Sequence, residues 1–171
     1  MKILIFGLPG SGKTTLAFPL AKHLGGIHIN ADEVRTKYND WDFSPEGRMR
    51  QSNRMKYLSD GVVMSGRIAI TDFVCPTEEA RNAFDPDFII YMDTIKEGRF
   101  DDTNKMFQKP SDADVDYHVS GWYDDTPEKL AEVIRRHREQ QVTSGFETDA
   151  DGNVFIAHNT SFRRKRMEQQ E

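Results

Sequence analysis

Cysteine is nearly absent from this sequence: of 171 residues only Cys75 is one, so no internal disulfide can form and the fold rests on its core. Long apolar runs are missing too. No stretch approaches the length of a membrane span or the apolar centre of a signal peptide, which points to a soluble, cytoplasmic protein with no membrane partner. An excess of positive charge is also lacking. Lysines and arginines number 23 against 28 aspartates and glutamates, a net charge of −5, so broad attraction to duplex nucleic acid is not expected. The five histidines, His23, His28, His118, His137 and His158, show no paired spacing; this argues against structural zinc and reads as solvated or hydrogen-bonded side chains. There are no internal repeats or low-complexity tracts. What remains is a chain of one-domain size, long enough to bury a core without disulfide or metal.

Short β-branched and aromatic runs alternate with longer helical patterns, as in a parallel sheet with crossover helices on both faces. Strands are expected at 2–6, 27–29, 68–73, 88–92 and 117–120. A helix at about 13–24 carries Leu16, Leu20 and Leu24 on one stripe, stops at Gly25-Gly26 and contains Pro19, where a bend is expected. Ser44-Pro45-Glu46 has the cap, first-turn proline and acid of a helix start. That helix should run to Ser65 with Met55, Leu58 and Val62 buried, and helical spacing puts Arg48 and Gln51 on the same face. Thr126-Pro127-Glu128 opens a last helix, docked by Leu130, Val133 and Ile134. From Gln140 the pattern weakens. Residues 142–158 read as two short strands around Asp149-Ala150-Asp151-Gly152-Asn153, and Arg163-Arg164-Lys165-Arg166 as a basic tail. The acidic turn does not fit a calcium loop, because its glycine falls too early and Thr160 stands where a bidentate glutamate belongs. The expected organisation is one domain over 1–140, with a lid at about 96–116, and an appended hairpin and tail over 141–171.

The most specific signal is Gly7-Leu8-Pro9-Gly10-Ser11-Gly12-Lys13-Thr14, which matches G-x-x-x-x-G-K-[ST] between an apolar strand and an amphipathic helix. Glycines let successive backbone N–H groups turn onto phosphate oxygens at a helix N-terminus. Gly7, Pro9, Gly10, Ser11, Gly12, Lys13, Thr14 and Thr15 are therefore the expected ATP-binding residues, with Lys13 reaching the β- and γ-phosphates and the Thr14 hydroxyl ligating Mg2+. A guanine-recognition motif is missing, since Asn104-Lys105 is followed by Met106-Phe107. The short chain then points to an α/β, three-layer P-loop kinase fold with a five-stranded parallel sheet, in which a mobile lid supplies cations over the transferring phosphoryl group.

After the second strand, Asn30-Ala31-Asp32-Glu33-Val34-Arg35 places a carboxylate at the carboxyl edge of the sheet. Asp32 either caps the following turn or orients an acceptor hydroxyl and holds magnesium; the adjacent phosphate loop favours the second. Asp72, at the end of the third strand, is either a metal ligand or a strand-end turn residue. Arg48 either meets a ligand, the favoured reading, or pairs with a nearby acid or extends out to solvent.

These stretches resemble the adenylylsulfate (APS) kinases, which phosphorylate the ribose 3′-hydroxyl of adenylylsulfate with ATP. That family carries G-L-x-G-x-G-K-[ST], D-G-D-N-V-R, F-S-x-x-D-R, a strand ending near S-P, and a lid with K-G-L-Y. Here the counterparts are 7–14, 30–35, Phe43-Ser44-Pro45-Glu46-Gly47-Arg48, Cys75-Pro76 and Asn104-Lys105-Met106-Phe107, in the same order up to about residue 120. The resemblance implies that Asp32 is the catalytic acid-base or metal-orienting group and that Arg99 reaches the triphosphate; with Lys13 these are the expected catalytic residues, and Thr14, Asp32 and the strand-end Asp72 are the expected metal shell. The resemblance also implies an acceptor site from Arg35, Phe43, Arg48, Gln51, Cys75, Pro76, Lys105 and Phe107, with the arginines on a phosphosulfate and Phe107 near an adenine. Arg99 and Lys105 read equally well as solvated helix residues. Several positions depart from the pattern: the first aspartate of D-G-D is Asn30, its glycine is Ala31, Gly47 precedes Arg48, Gln51 replaces an asparagine, and Thr77-Glu78 follows Pro76. The reaction type survives these changes better than the acceptor does. A nucleic-acid hydroxyl, suggested by the basic tail, is a less favoured acceptor, and a nucleotide-binding module without turnover is a third reading. A homodimer is expected from the resemblance alone.

Overall fold

β1 (Lys2–Gly7) is buried along its whole length and lies at the centre of a five-stranded, all-parallel sheet in this computed structural model, which describes residues 1–144, 146–148, 150 and 154–156. β2 (Ile27–Asn30), β3 (Ala69–Asp72), β4 (Phe88–Met92) and β5 (Tyr117–Val119) complete it in the order β2-β3-β1-β4-β5. β1 pairs Lys2–Ile5 with Ala69–Asp72 on one side and Ile3–Gly7 with Phe88–Met92 on the other. Both faces of these strands are covered, which is why they read as near-continuous apolar runs. The five strands fall at the expected places, each within two residues of the expected ends.

Residues alternate between faces along each strand. Leu4, Phe6, Ala69, Ile89 and Tyr91 share a cluster with Val34 of α2 (Ala31–Tyr38), Met55 of α3 (Pro45–Met64) and Phe84 of α4 (Glu78–Phe84). Ile3, Ile5 and Ile70, one position away, face the other side, and α1 (Lys13–Leu24) packs against β1, β2 and β3 through buried Leu16, Ala17 and Leu20. Each leucine, isoleucine or phenylalanine removed from water here contributes about 1.5–3 kcal/mol. α1 continues through Pro19 to Leu24 and is closed by Gly25 at φ 61°.

α3 starts where expected, with Ser44 Oγ accepting from Gly47 N at 3.1 Å. Its deepest line is Gly47, Gln51, Met55 and Ser59 rather than the stripe through Leu58 and Val62, which are half-buried. A small polar residue lies deep here because Ser59 Oγ meets Thr71 Oγ1 at 2.7 Å. α2 and α4 were not anticipated as helices. Both are short and capped, by Asn30 and by Thr77, and local capping can hold a helix too brief for a readable period.

The chain divides into two units, Met1–Lys129 and Leu130 onward. The first contains α5 (Asp101–Met106), a 3-10 turn at Asp112–Asp114 and every residue of the site described below. α6 (Thr126–Ser144) reaches four residues beyond Gln140; Leu130 and Ile134 are fully buried and Val133, expected with them, is exposed. β6 (Phe146–Thr148) and β7 (Val154–Ile156) pair antiparallel, Phe146 opposite Ile156. The turn between them, apart from Ala150, and the basic run 163–166 lie outside the described residues. Among the described residues no helix is long and apolar enough to cross a membrane.

Candidate active site

β1 is the point where the strand order reverses, since the chain first builds β2 and β3 on one side and then β4 and β5 on the other. Ligands of open parallel sheets bind at the carboxyl end of such a strand. The loop leaving β1 passes hard against β4: a Cβ on Gly7 would lie 2.6 Å from the Met92 carbonyl oxygen. Gly12 caps α1 at φ 90° with no side-chain hydrogen bond to the helix's first N–H groups, which leaves a positive helix end facing outward. Ser11 is pinned through its carbonyl, which accepts from Thr94 Oγ1 at 2.6 Å, while its own Oγ is buried without a partner. Lys13 Nζ donates to the carbonyls of Gly7 (3.1 Å) and Leu8 (2.9 Å). Burial lowers its pKa to about 8, against the opposing pull of the Asp72 and Asp32 carboxylates. Pro9 is half-buried, and Gly10, Thr14 and Thr15 are exposed.

Beside the loop lies a buried polar cluster. Thr14 Oγ1 donates to Asp72 Oδ2 at 2.7 Å. Asn30 Nδ2 is 3.2 Å from each Asp72 oxygen and 3.1 Å from Thr14 Oγ1, and Asn30 Oδ1 accepts from the N–H groups of Asp32 and Glu33. His28 Nε2 meets Asp72 Oδ1 at 2.7 Å. Asp72 is only 2% exposed; four polar contacts replace the water its charge has lost.

Facing the loop, α2 carries Asp32 exposed in its first turn, close enough for its charge to act on both Lys13 and Arg35. Arg35 is buried; its Nη1 donates to the carbonyls of Asp40 (3.0 Å) and Asp42 (3.1 Å), and its Cζ stands 4.4 Å from the centre of the Phe43 ring. Arg48 Nε donates to the Phe43 carbonyl at 2.8 Å and its Nη2 to Asp102 Oδ2 at 2.8 Å, which ties α3 to α5. Gln51 Nε2 donates to the Ala31 carbonyl at 3.0 Å, and Gln51 Oε1 is buried without a partner. Phe43 is half exposed, as are Tyr38 and Trp41.

The segment 96–116 holds Arg99, Lys105 and Phe107. Lys105 is exposed on α5, and Arg99 is exposed with its guanidinium over Phe100. Phe107 stacks on Phe6 (6.3 Å between ring centres) and Tyr91 (6.0 Å), at the edge of the core. Cys75 is buried in a left-handed conformation at φ 42°, and burial pushes its thiol pKa up to about 12. The carbonyls of Cys75 and Pro76 both accept from Arg81 Nη1 at 3.2 Å, and Arg81 Nη2 donates to the Gln108 carbonyl at 3.0 Å.

Residues 1–116 match the model of the family described as adenylylsulphate kinase. The chain belongs to the adenylylsulphate kinase family. No curated protein matches it. Among solved structures it is similar to APE1195 (22% identity over 80% of this chain and 95% of that one, TM-score 0.67). It is also similar to the APS kinase of Mycobacterium tuberculosis in complex with AMPPNP and APS (16%, 81% and 96%, TM-score 0.62). Shikimate kinase of Aquifex aeolicus shares the architecture as well (19%, 85% and 100%, TM-score 0.55). Identities this low show the fold, that of the P-loop kinases.

In this adenylylsulphate kinase family member the residues expected around the phosphates, Gly7 to Thr15, form one loop and helix start, with Asp72 in direct contact and Asp32 opposite. Arg35, Phe43, Arg48 and Gln51 come together behind Asp32. Cys75 and Pro76 follow the carboxyl end of β3 and Phe107 stacks on Phe6, while Arg99 and Lys105 are exposed. Three polar residues of the site were not singled out. His28, which read as a solvated or hydrogen-bonded histidine, is of the hydrogen-bonded kind, with its side chain 15% exposed and its Nε2 2.7 Å from Asp72 Oδ1; its period-2 spacing from Asn30 would have placed both on one face. Arg81 sits on a helix too short to show a pattern. Asp93, which accepts from Lys109 (2.9 Å) and Tyr91 (3.1 Å) and meets His118 (3.0 Å), directly follows β4 without any motif.

Proposed function

We propose that this chain transfers the γ-phosphoryl group of ATP to a hydroxyl of a nucleotide-like small molecule, with the 3′-hydroxyl of adenylylsulfate as the first acceptor to try. The reading is carried by one observation: a glycine loop at a helix N-terminus has Lys13 within it, Thr14 bonded to a buried carboxylate and Asp32 exposed on the facing helix. The open helix end and the partnerless Ser11 hydroxyl suit phosphate oxygens. Lys13 exchanges two carbonyl partners for the β- and γ-phosphates. The Thr14 hydroxyl and the Asp72 carboxylate are hard oxygen donors that fit magnesium, with Asp32 able to join them. Magnesium held there would neutralise charge on the nucleotide's phosphates.

Asp32 orients the acceptor hydroxyl and takes its proton as the acceptor oxygen bonds to γ-phosphorus and the bond to the β–γ bridging oxygen breaks, with ADP leaving. Arg99 adds positive charge from the lid segment. Phe43 offers an aromatic face, and Gln51 Oε1 an unused acceptor. Arg35 and Arg48 shape this wall, and Cys75, Pro76, Lys105 and Phe107 close its far side. A homodimer belongs with this reading; light scattering that returns the mass of one chain removes it.

A second reading is a polynucleotide or modified-nucleobase hydroxyl as acceptor. It is favoured by the guanidinium groups of Arg35 and Arg48 being engaged on the protein itself and by the exposed rings of Tyr38, Trp41 and Phe43, which suit stacked bases. The test is to incubate the protein with Mg-ATP and, in parallel reactions, adenylylsulfate or an oligonucleotide with free ends, and to identify products by mass spectrometry. The first reading expects ADP and 3′-phosphoadenylylsulfate in equal amounts. Absence of the phosphorylated product, with phosphate appearing instead on an oligonucleotide, replaces it with the second.

A further inference from the structure

Asn30 and Asp72 are register partners at the ends of β2 and β3. Asn30 Nδ2 lies 3.2 Å from both Asp72 oxygens and 3.1 Å from Thr14 Oγ1, which itself donates to Asp72 Oδ2 at 2.7 Å. A carboxamide and a carboxylate thus meet with the loop hydroxyl against both. Each is nearly sealed from solvent, Asn30 at 8% and Asp72 at 2% exposure. The pattern D-G-D places a carboxylate at position 30; in this chain that position is an amide and the charge stands directly across the strand pair. Resting on the functional reading above, we infer that the site's buried carboxylate has changed strands. Asp72 holds from β3 the place that an acid at position 30 would hold from β2, and Asn30 is the positioning residue that aims it.

Three physical features support the exchange. Carboxylate and carboxamide have nearly the same shape, so the two side chains can trade places without repacking. Only one of them can be charged, because two carboxylates in contact inside the protein repel and one gives up its ionisation. The other duties of both positions are indifferent to which residue is the acid. Asn30 Oδ1 caps α2 by accepting from Asp32 N and Glu33 N, a task aspartate performs as well as asparagine. At position 72, the oxygen that meets His28 Nε2 at 2.7 Å is present on an asparagine too.

The experiment is a reciprocal exchange in the full-length protein, read by calorimetric titration with a non-hydrolysable ATP analogue, once with magnesium and once with chelator. The parent is expected to bind about tenfold or more tightly with magnesium, roughly 1.4 kcal/mol. Asp72→Asn is expected to lose that gain while still binding the analogue without magnesium, which also shows that it is folded. The double variant Asn30→Asp/Asp72→Asn is expected to recover the gain to within about threefold of the parent. A magnesium gain that survives Asp72→Asn overturns the inference, as does a double variant that stays magnesium-blind or fails to fold. A parent that binds the analogue with no magnesium gain at all removes the metal site from the functional reading, and the exchange falls with it.

Discussion

Lys13 should make nucleotide affinity pH-dependent in a window set by its burial. Its pKa is lowered to about 8, and contact with a polyphosphate restores the charged form, raising the pKa of the bound state to at least the ordinary value of about 10.4. Binding above pH 8 therefore requires proton uptake, and affinity falls as pH rises. At pH 7 about nine-tenths of the unliganded protein already carries the charge, and at pH 9.5 about one thirtieth does. Affinity for an ATP analogue should drop about thirtyfold between these values, roughly 2 kcal/mol. Titration in buffers of different ionisation enthalpy should count about 0.9 proton taken up at pH 9 and about 0.1 at pH 7. Lys13→Arg should flatten the profile, because a guanidinium stays charged throughout. The unliganded fold shows the opposite sign. Its lysine binds fewer protons than the unfolded chain's between the two pKa values, so stability rises with pH across that window. A parent affinity that is constant from pH 7 to 9.5, with no proton uptake, refutes the placement of Lys13 on the phosphates.

Three further outcomes follow from packing. Gly7→Ala puts a Cβ 2.6 Å from the Met92 carbonyl oxygen; unfolding in denaturant should show a loss of about 2–3 kcal/mol, and nucleotide binding should be lost. Arg81→Met leaves the carbonyls of Cys75, Pro76 and Gln108 without their shared donor and should cost about 3 kcal/mol by the same measurement, beyond what an exposed arginine costs. The Cys75 thiol, with a pKa of about 12, is about one ten-thousandth thiolate at pH 8. Iodoacetamide should leave it unmodified in the native protein and alkylate it only in denaturant.

The central strands were legible because burial on both faces leaves uninterrupted apolar runs, as in Ile3-Leu4-Ile5-Phe6. The phosphate loop was legible because its chemistry lies in consecutive residues. Less could be read where a site is assembled across strands. Asn30 and Asp72 are adjacent only through the β2–β3 register, and His28 joins them only because period 2 turns it to the same face. α3 was placed correctly at its start, where Ser44 caps it, and Gln51 and Met55 lie on its buried face as expected, but Ser59 lies deeper than Leu58 and Val62. Hydrophobicity alone ranks those positions the wrong way; the Ser59–Thr71 hydrogen bond sets the order. α2 and α4 rest on capping by Asn30 and Thr77 more than on an amphipathic period.

The reaction itself is tested most directly by following γ-labelled ATP with magnesium over a panel of hydroxyl compounds: adenylylsulfate, nucleosides, shikimate and oligonucleotides with free ends. Label should appear on one class of acceptor with the parent protein. With Asp32→Asn it should fall at least about a hundredfold while nucleotide affinity holds. No transfer to any acceptor, or transfer that is unchanged by Asp32→Asn, contradicts a kinase whose acceptor hydroxyl is handled by the first turn of α2.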